Sequence, residues 1–535
     1  MSKYIKSTLL RTILTIGLVI TFLPTAAVEA AGAIFRVKEN GITSGACGDS
    51  WDNSCSLQYA LSLAQAGDQV WVARGTYTPT TSADRTVSFK LKSGVALYGG
   101  FAGTETLLTQ RNPLDNVTVL SGDIGTPGVP TDNSYHVINA AGIGNNAVLD
   151  GFKISNGNAN GASPHDMGGG IYCYSCTAAF ANLIFRNNYS TYQGGAVFIK
   201  ASTITLDKVT FAANSSGKFG GGFLNHTSNV TLSNATFTNN TAGERGGGLY
   251  NYGSTATLTN VTFTGNSAEL LGGGMNNSSS NVQLTGGTFT DNAAGTSGGG
   301  IYFADGELTL EDVTFIGNSA KGGGGILSSS GSVTSITNAL FEENFAKERG
   351  GGVYFYDSEG TITNATFKNN VAKEHGGAMF NSTSDPVVTN SSFSGNVSEL
   401  YGGAIDNNTS SPSFENVEIY GNSAVRGGGI YNWEYSSPTL TNVIITDNSA
   451  SHRGGGMYIV DYCDLTLTDV VFKGNTATDD GGGMFVSNSH PIFNRVLFEN
   501  NVASDFGGGL YNSYTHATLH DVVFLNNSAI SGGGL

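Results

Sequence analysis

From about residue 166 onward, apolar and polar positions alternate only in short stretches, and the alternation restarts after every cluster of glycines. In the unit that begins at Gly246, Leu249 and Asn251 alternate with Tyr250 and Tyr252, which gives one strand. Leu258 lies in a second strand, and Val261 and Phe263 share one face of a third. The alternation slips by one between Leu258 and Val261, so the chain bends at Asn260. No 3.6-residue apolar stripe runs through this region, which excludes helical repeats.

The pattern has a fixed period. A Gly-Gly-Gly/Ala motif ends first at Gly170 and Ala196 and last at Gly534, recurring every 25, 26 or 27 residues. Between successive motifs stands Phe-x-x-Asn, from Phe185/Asn188 through Phe263/Asn266 to Phe524/Asn527. Ile419 and Ile445 replace Phe twice, while the Asn is present in all fourteen copies. Three residues before that Phe or Ile the column reads Asn eight times and Asp three times, at Asp312, Asp469 and Asp521. Asn and Asp enter the left-handed backbone region more readily than other non-glycine residues, so a tight corner is predicted there. Three strands and three corners in 26 residues make one coil of a parallel β-helix. At roughly 4.8 Å per coil, the repeats predict a rod on the order of 70 Å long before the N-terminal coils are added.

Two columns are predicted to face inward. The residue after each glycine motif is always apolar, as at Ile171, Val197, Phe223, Leu249, Met275 and Ile301. Two residues later stands Asn seven times, at Asn225, Asn251, Asn277, Asn381, Asn407, Asn432 and Asn512. A lone buried amide is costly, but amides stacked at the coil spacing can donate to one neighbour and accept from the other. The glycines suit corners closed to other residues or close approach of adjacent backbones. Asn-x-Ser/Thr tripeptides, as at Asn116, Asn234 and Asn260, fall out of the repeat itself and are not read as glycosylation acceptors.

The ends differ from the middle. Lys3, Lys6 and Arg11, then the apolar stretch Ile13 to Leu23 and small residues up to Ala30, predict an export signal over 1–30. Residues 31–165 are expected to hold an N-terminal cap and the first irregular coils, and 166–535 the regular repeats. Leu57, Ala60, Leu61 and Ala64 mark a short amphipathic helix, with Ser54 or Ser56 as its cap, placed to close the solenoid's open end. Short strands are expected around Val70–Val72, Val95–Tyr98 and Val117–Leu120. The sequence stops in mid-repeat at Gly532-Gly533-Gly534-Leu535, which suggests a truncated product.

Composition narrows the class. The 76 glycines lack a collagen period, and 29 Phe with 22 Tyr argue against disorder. A net charge of −16 disfavours nucleic acid and anionic lipid as partners, and no later segment is apolar enough to span a membrane. Cys47 and Cys55 flank a short loop and are candidates for a disulfide. Cys173 and Cys176 form one CxxC without the second ligand pair a zinc site needs, and Cys463 is left over.

The GGA-I and Fxx-N pair resembles the repeats of the chlamydial polymorphic outer membrane proteins, as at Gly194-Gly195-Ala196-Val197 with Phe211/Asn214 and Gly402-Gly403-Ala404-Ile405 with Ile419/Asn422. The phrase Gly67 to Tyr77, with Gly99-Gly100-Phe101, is similar to the opening of secreted pectin-lyase-like proteins. These resemblances imply an all-β, right-handed parallel β-helix with an N-terminal helical cap. They also imply an autotransporter-type surface protein, several members being adhesins, with a C-terminal β-barrel that this sequence does not contain.

Pectin-lyase-like folds also host polysaccharide lyases and glycoside hydrolases. Polygalacturonase-like enzymes carry Gly-His-Gly and Arg-Ile-Lys strings, and neither occurs here. The local case for catalysis rests on Glu348 and Glu374, one coil apart at the separation retaining glycosidases use, with Arg349 and His375 beside them. A second cluster joins His452 and Arg453 to Asp479 and Asp480, with Asp505 beyond. Such groups would abstract a proton from a uronate or hold Ca²⁺, or else stack as solvated ion pairs. RTX-type GGxGxD nonapeptides are absent, and no other cofactor is implied.

The position after the buried apolar column points outward and is Tyr seven times and Phe three times. Tyr250, Tyr252, Tyr354, Tyr356, Tyr431 and Trp433 are therefore expected to form an exposed aromatic face for a glycan or for a protein on a host or neighbouring cell, or a self-stacking ladder. The sequence thus predicts a secreted or surface-displayed, non-catalytic adhesive or structural rod, with a polysaccharide-degrading enzyme as the alternative.

Overall fold

The computed structural model describes residues 32–535 apart from 145 and 146, so the predicted signal 1–30 lies outside the described residues. The chain winds as a parallel solenoid whose coils contribute to three sheets. In the coil begun by Gly246, the first sheet takes Leu249–Tyr252, the second Thr255–Thr264 and the third Ser267–Ala268. Each strand pairs in parallel with its equivalent one repeat away, as Leu249 with Met275 and Phe263 with Phe289.

Three strands per coil were expected, but the third lies elsewhere than the alternation placed it. Asn260 does turn left-handed, at φ 53°. The strand nevertheless continues through it, because every coil kinks at the same point and only the kink residue leaves the lateral register. The same angle recurs at all fourteen positions of the column, including Asn182, Asp312, Asn442, Lys208 and Arg495. Exposed corner amides bond from coil to coil, as Asn364 to Asn338 and Asn442 to Asn416, both at 2.7 Å. The third sheet follows the Phe-x-x-Asn motif, and its two-residue strands are too short to show an alternation.

Inside, one ladder of amides runs almost the length of the regular coils. Each Asn of Phe-x-x-Asn donates through Nδ2 to the Oδ1 of the next, from Asn188 to Asn527, at 2.9–3.1 Å. Asn318 shows the complete set: its Nδ2 also donates to the Phe289 carbonyl, and its Oδ1 accepts both the backbone and the side-chain N–H of Asn292. The predicted second amide column forms two shorter runs, Asn225–Asn251–Asn277 and Asn381–Asn407–Asn432. Asn512 lies outside both. Beside the long ladder the Phe rings stack nearly parallel, as Phe263 on Phe289 at 4.7 Å and 7°. The apolar column from Ile171 to Leu510 is fully buried.

The three glycines of the motif do different work. The first has φ between 61° and 69° in every regular coil, as at Gly246, a region open chiefly to glycine. At the second, a Cβ on Gly247 would meet the carbonyl oxygens of Gly273 and Ser267. The third is already alanine at Ala196, Ala378 and Ala404.

At the N-terminal end, the helix Leu57–Leu63 buries Leu57, Ala60 and Leu61 in the same core as Val37 and Val70. Ser56 is its cap residue, but the Ser56 side chain makes no capping bond. The expected strands occur as Gln69–Ala73, Ala96–Phe101 and Thr118–Ser121. Cys47 is bridged to Cys55, and Cys173 to Cys176. Cys463 is free and buried, its thiol pushed up to about 12 by burial.

Two variants at adjacent glycines separate these roles. Gly247→Ala is expected to lower stability by about 1–3 kcal/mol through overlap with two carbonyl oxygens, and Gly248→Ala by less, since its Cβ would meet one carbonyl oxygen at 2.6 Å at a position that other coils fill with alanine. Asn318→Leu orphans the Phe289 carbonyl and both Asn292 donors, so a loss of roughly 3 kcal/mol or more is expected. Urea titration of each variant measures these differences.

Candidate functional site

The outward column of the first sheet points away from the core, yet it is not exposed. Tyr250 is 5 % accessible and Tyr354 and Tyr431 are 8 % each, which corrects the expected open aromatic face. The cause is the turn before each glycine motif, which folds back across the rings. Phe219 covers Tyr250, Arg349 lies 5.6 Å over Phe380, Tyr401 lies 4.9 Å from Tyr431, and Arg453 lies 5.2 Å over Phe485. The rings also cover one another: Tyr431, Tyr458, Phe485 and Tyr511 stack at 4.7–5.1 Å. Two residues further on, Tyr252 and Tyr356 remain exposed, at 45 % and 49 %. Trp433 is half-buried beside Tyr431.

Asp406 interrupts this column, and the sequence reading missed it. Its side chain is fully buried between the Phe380 and Tyr431 positions. One oxygen lies 2.8 Å from His375 Nδ1, and the other accepts the Trp433 Nε1–H at 3.0 Å. His375 stacks 5.1 Å from Tyr401 and lies 6.0 Å from Trp433, nearly parallel to it. Burial raises the Asp406 carboxyl above its ordinary range, against the opposing pull of His375, Trp433 and Arg349. With Asp406 ionised, this bond would place a His375 proton on Nδ1 and leave Nε2 without one. The detectable signal was a carboxylate in a column otherwise Tyr, Phe, Leu or Asn.

The predicted carboxylate pair is arranged differently. Glu348 and Glu374 do lie on successive coils, joined by a backbone bond of 3.0 Å. The Glu348 carboxylate, however, turns to Lys321 on the preceding coil at 3.0 Å. Lys218–Glu244, Lys368–Glu342 and Lys473–Glu499 repeat this one-coil ion pair. His375 is engaged by Asp406 rather than by Glu374.

The second predicted cluster does come together. His452 Nε2 lies 2.8 Å from Asp479, and Arg453 Nε lies 2.9 Å from Asp480. Burial raises the Asp480 carboxyl; Arg453 lowers it, and the neighbouring Asp479 and Asp505 raise it further. Among the described residues no three His, Cys, Asp or Glu side chains converge to hold a metal ion.

A family model described as "Right handed beta helix region" matches residues 169–346 and 351–529. Among solved structures, the chain is similar to pectate lyase Pel9A at 13 % identity, over 82 % of this chain and 78 % of that one, with a TM-score of 0.20. It is similar to bacteriophage CBA120 tailspike protein 3 at 12 % identity, over 92 % and 61 %, with a TM-score of 0.26. A tailspike protein of E. coli bacteriophage HK620, solved with a pentasaccharide, aligns at 11 % identity over 92 % and 78 %, with a TM-score of 0.24. No curated protein matches the chain.

The Asp406 site makes a prediction about pH. Because the folded state raises this carboxyl, it binds the proton more tightly than the unfolded chain does. The associated stability is present below about pH 4 and is lost as pH rises through the range above it. The urea midpoint is expected to fall across that window, and Asp406→Asn to flatten the fall. An unchanged slope in the variant assigns the pH dependence to other groups.

Proposed function

The chain belongs to the right-handed β-helix family, and on that premise we propose that it is an exported, non-catalytic rod that presents a recognition surface. The observation that carries this reading is where the side chains go. Amides, rings and aliphatic groups line the interior as continuous columns, and several surface carboxylates pair with a cation one coil away. Such an interior gives a stiff scaffold whose surface repeats at fixed spacing. The residue 1–30 signal and two local disulfides suit an oxidising, extracellular compartment. No helix of the described residues is long and apolar enough to cross a membrane.

Within that reading, the resemblance to chlamydial polymorphic outer membrane repeats favours display at a cell surface, and the partner is a glycan or a protein of a host or neighbouring cell. Tyr252 and Tyr356, four coils apart and each beside a buried Tyr, are the exposed rings suited to contact it. The alternative is a polysaccharide lyase or glycoside hydrolase. Its support is the His375–Asp406 pair, which would present Nε2 as a general base.

A screen on acidic polysaccharides is expected to give no turnover. Turnover abolished by His375→Gln, Glu374→Gln or Asp479→Asn would reverse the order of the two readings. Replacing Tyr252 and Tyr356 together by Ala is expected to remove cell or glycan-array binding without altering the circular dichroism. Binding that survives the double change removes these tyrosines from the recognition surface.

A further inference from the structure

The coils are not all of one length, and the longest share a corner. The glycine motifs ending at Gly325, Gly429 and Gly456 each open a coil of 27 residues. In all three the extra residue stands between the first sheet and the second, after Ile326–Ser329, Ile430–Trp433 and Met457–Ile459. The coils flanking the last two turn this corner on a single left-handed residue, Thr409 at φ 49° and Asn488 at φ 51°. The long coils take two in succession: Ser330 and Gly331, Glu434 and Tyr435, Asp461 and Tyr462. Glycine is the residue such a second angle favours. Tyrosine, at φ 62° and 63°, is among the residues it suits least, and Gly331 shows that closing the corner does not call for a ring.

The two rings stack on each other, 5.6 Å between centres and 13° between planes. They stand 68 % and 53 % exposed. The flanking coils lack the extra residue, so the stack stops at two rings and the outer face of each is left open. An exposed carboxylate precedes each ring, Glu434 and Asp461, and Asn408 donates to Glu434 at 2.9 Å. A third carboxylate, Asp464, is taken by His490 at 3.1 Å, and His490 stacks in turn on His516. The corner is thus both aromatic and acidic.

Elsewhere the molecule itself supplies what such a combination takes. Arg111 lies 5.1 Å over Tyr98 while bonding Asp150, and Arg453 lies 5.2 Å over Phe485 while bonding Asp480. The rings beneath are half-buried and buried. In each case a guanidinium lies on a ring and gives its N–H groups to a carboxylate alongside, two contacts that its flat, permanently charged fork makes at once. Tyr435 and Tyr462 offer the same two components with the ring face uncovered.

We propose that this corner docks arginine side chains of a second protein. The guanidinium lies flat on the open face of Tyr435 or Tyr462 and donates to Glu434 or Asp461. Charge complementarity selects a cationic partner, since the carboxylates belong to a chain of net charge −16 that repels its own copies. Ring stacking selects arginine over lysine, whose compact ammonium has no flat face. The site shares no residue with the Tyr252 and Tyr356 surface, so the two stand or fall separately.

The test is calorimetric titration of the purified chain with a capped peptide of alternating glycine and arginine, and with matched lysine and citrulline peptides. The arginine peptide is expected to bind about tenfold more tightly than either. Deleting Tyr435 and Tyr462, which returns both coils to 26 residues, should remove that margin, as should Tyr435→Ala with Tyr462→Ala. Tyr435→Phe with Tyr462→Phe should keep it, while Glu434→Gln with Asp461→Asn should weaken the arginine peptide about tenfold. Tyr252→Ala with Tyr356→Ala should leave its affinity unchanged. Absence of binding, equal affinity for the lysine or citrulline peptide, or unaltered binding after the deletion overturns the proposal. Self-association of the chain that the deletion abolishes overturns it too, by making a second copy the occupant.

Discussion

Lateral register is the constraint on which the molecule depends. Each coil must lie on the last at the spacing of paired strands, roughly 4.8 Å, along most of its perimeter. At that distance a residue's nearest neighbour is its own equivalent in the next repeat. Only side chains that tolerate themselves as neighbours can occupy a column: amides that donate and accept, rings that stack flat, and aliphatic groups that interlock. The second glycine of the motif is the limiting case, because there the neighbour is a carbonyl oxygen.

The same rule governs the surface. A charge placed on a coil meets whatever stands one repeat away, and selection of an opposite charge gives the series of ion pairs such as Lys321–Glu348 and Lys473–Glu499. Each contributes little by itself. Against columns that repeat so regularly, the residues that break one become conspicuous. Asp406 breaks a column of rings and draws in His375 and Trp433. Lys208 breaks a column of Asn and Asp. A nearly uniform solenoid thus advertises its candidate sites through departures from its own repeat.

Because each coil touches only its neighbours, stability is close to a sum of nearest-neighbour terms. An amide lost from the middle of the ladder, as at Asn318, removes bonds to the coils on both sides. A surface held on such a scaffold keeps fixed spacings, which suits recognition of a repeating partner.

The coil, its 26-residue period, the buried apolar column, the left-handed angle at Asn260 and the N-terminal helix were all legible in the sequence, because each repeats or follows a periodicity that local chemistry enforces. The two-residue third strand was not, since Ser267–Ala268 is too short to carry a pattern. Nor could the sequence reveal that Tyr250, Tyr354 and Tyr431 are covered. Strand alternation tells which way a side chain leaves the sheet, whereas its exposure depends on the path of the preceding turn, and only the folded coil sets that path. His375 meets Asp406 for the same reason: they are 31 residues apart, slightly more than one period, and the backward fold of the turn makes up the difference. Repetition determines a column from one dimension of information, but a contact between different columns exists only after the chain has closed its coil.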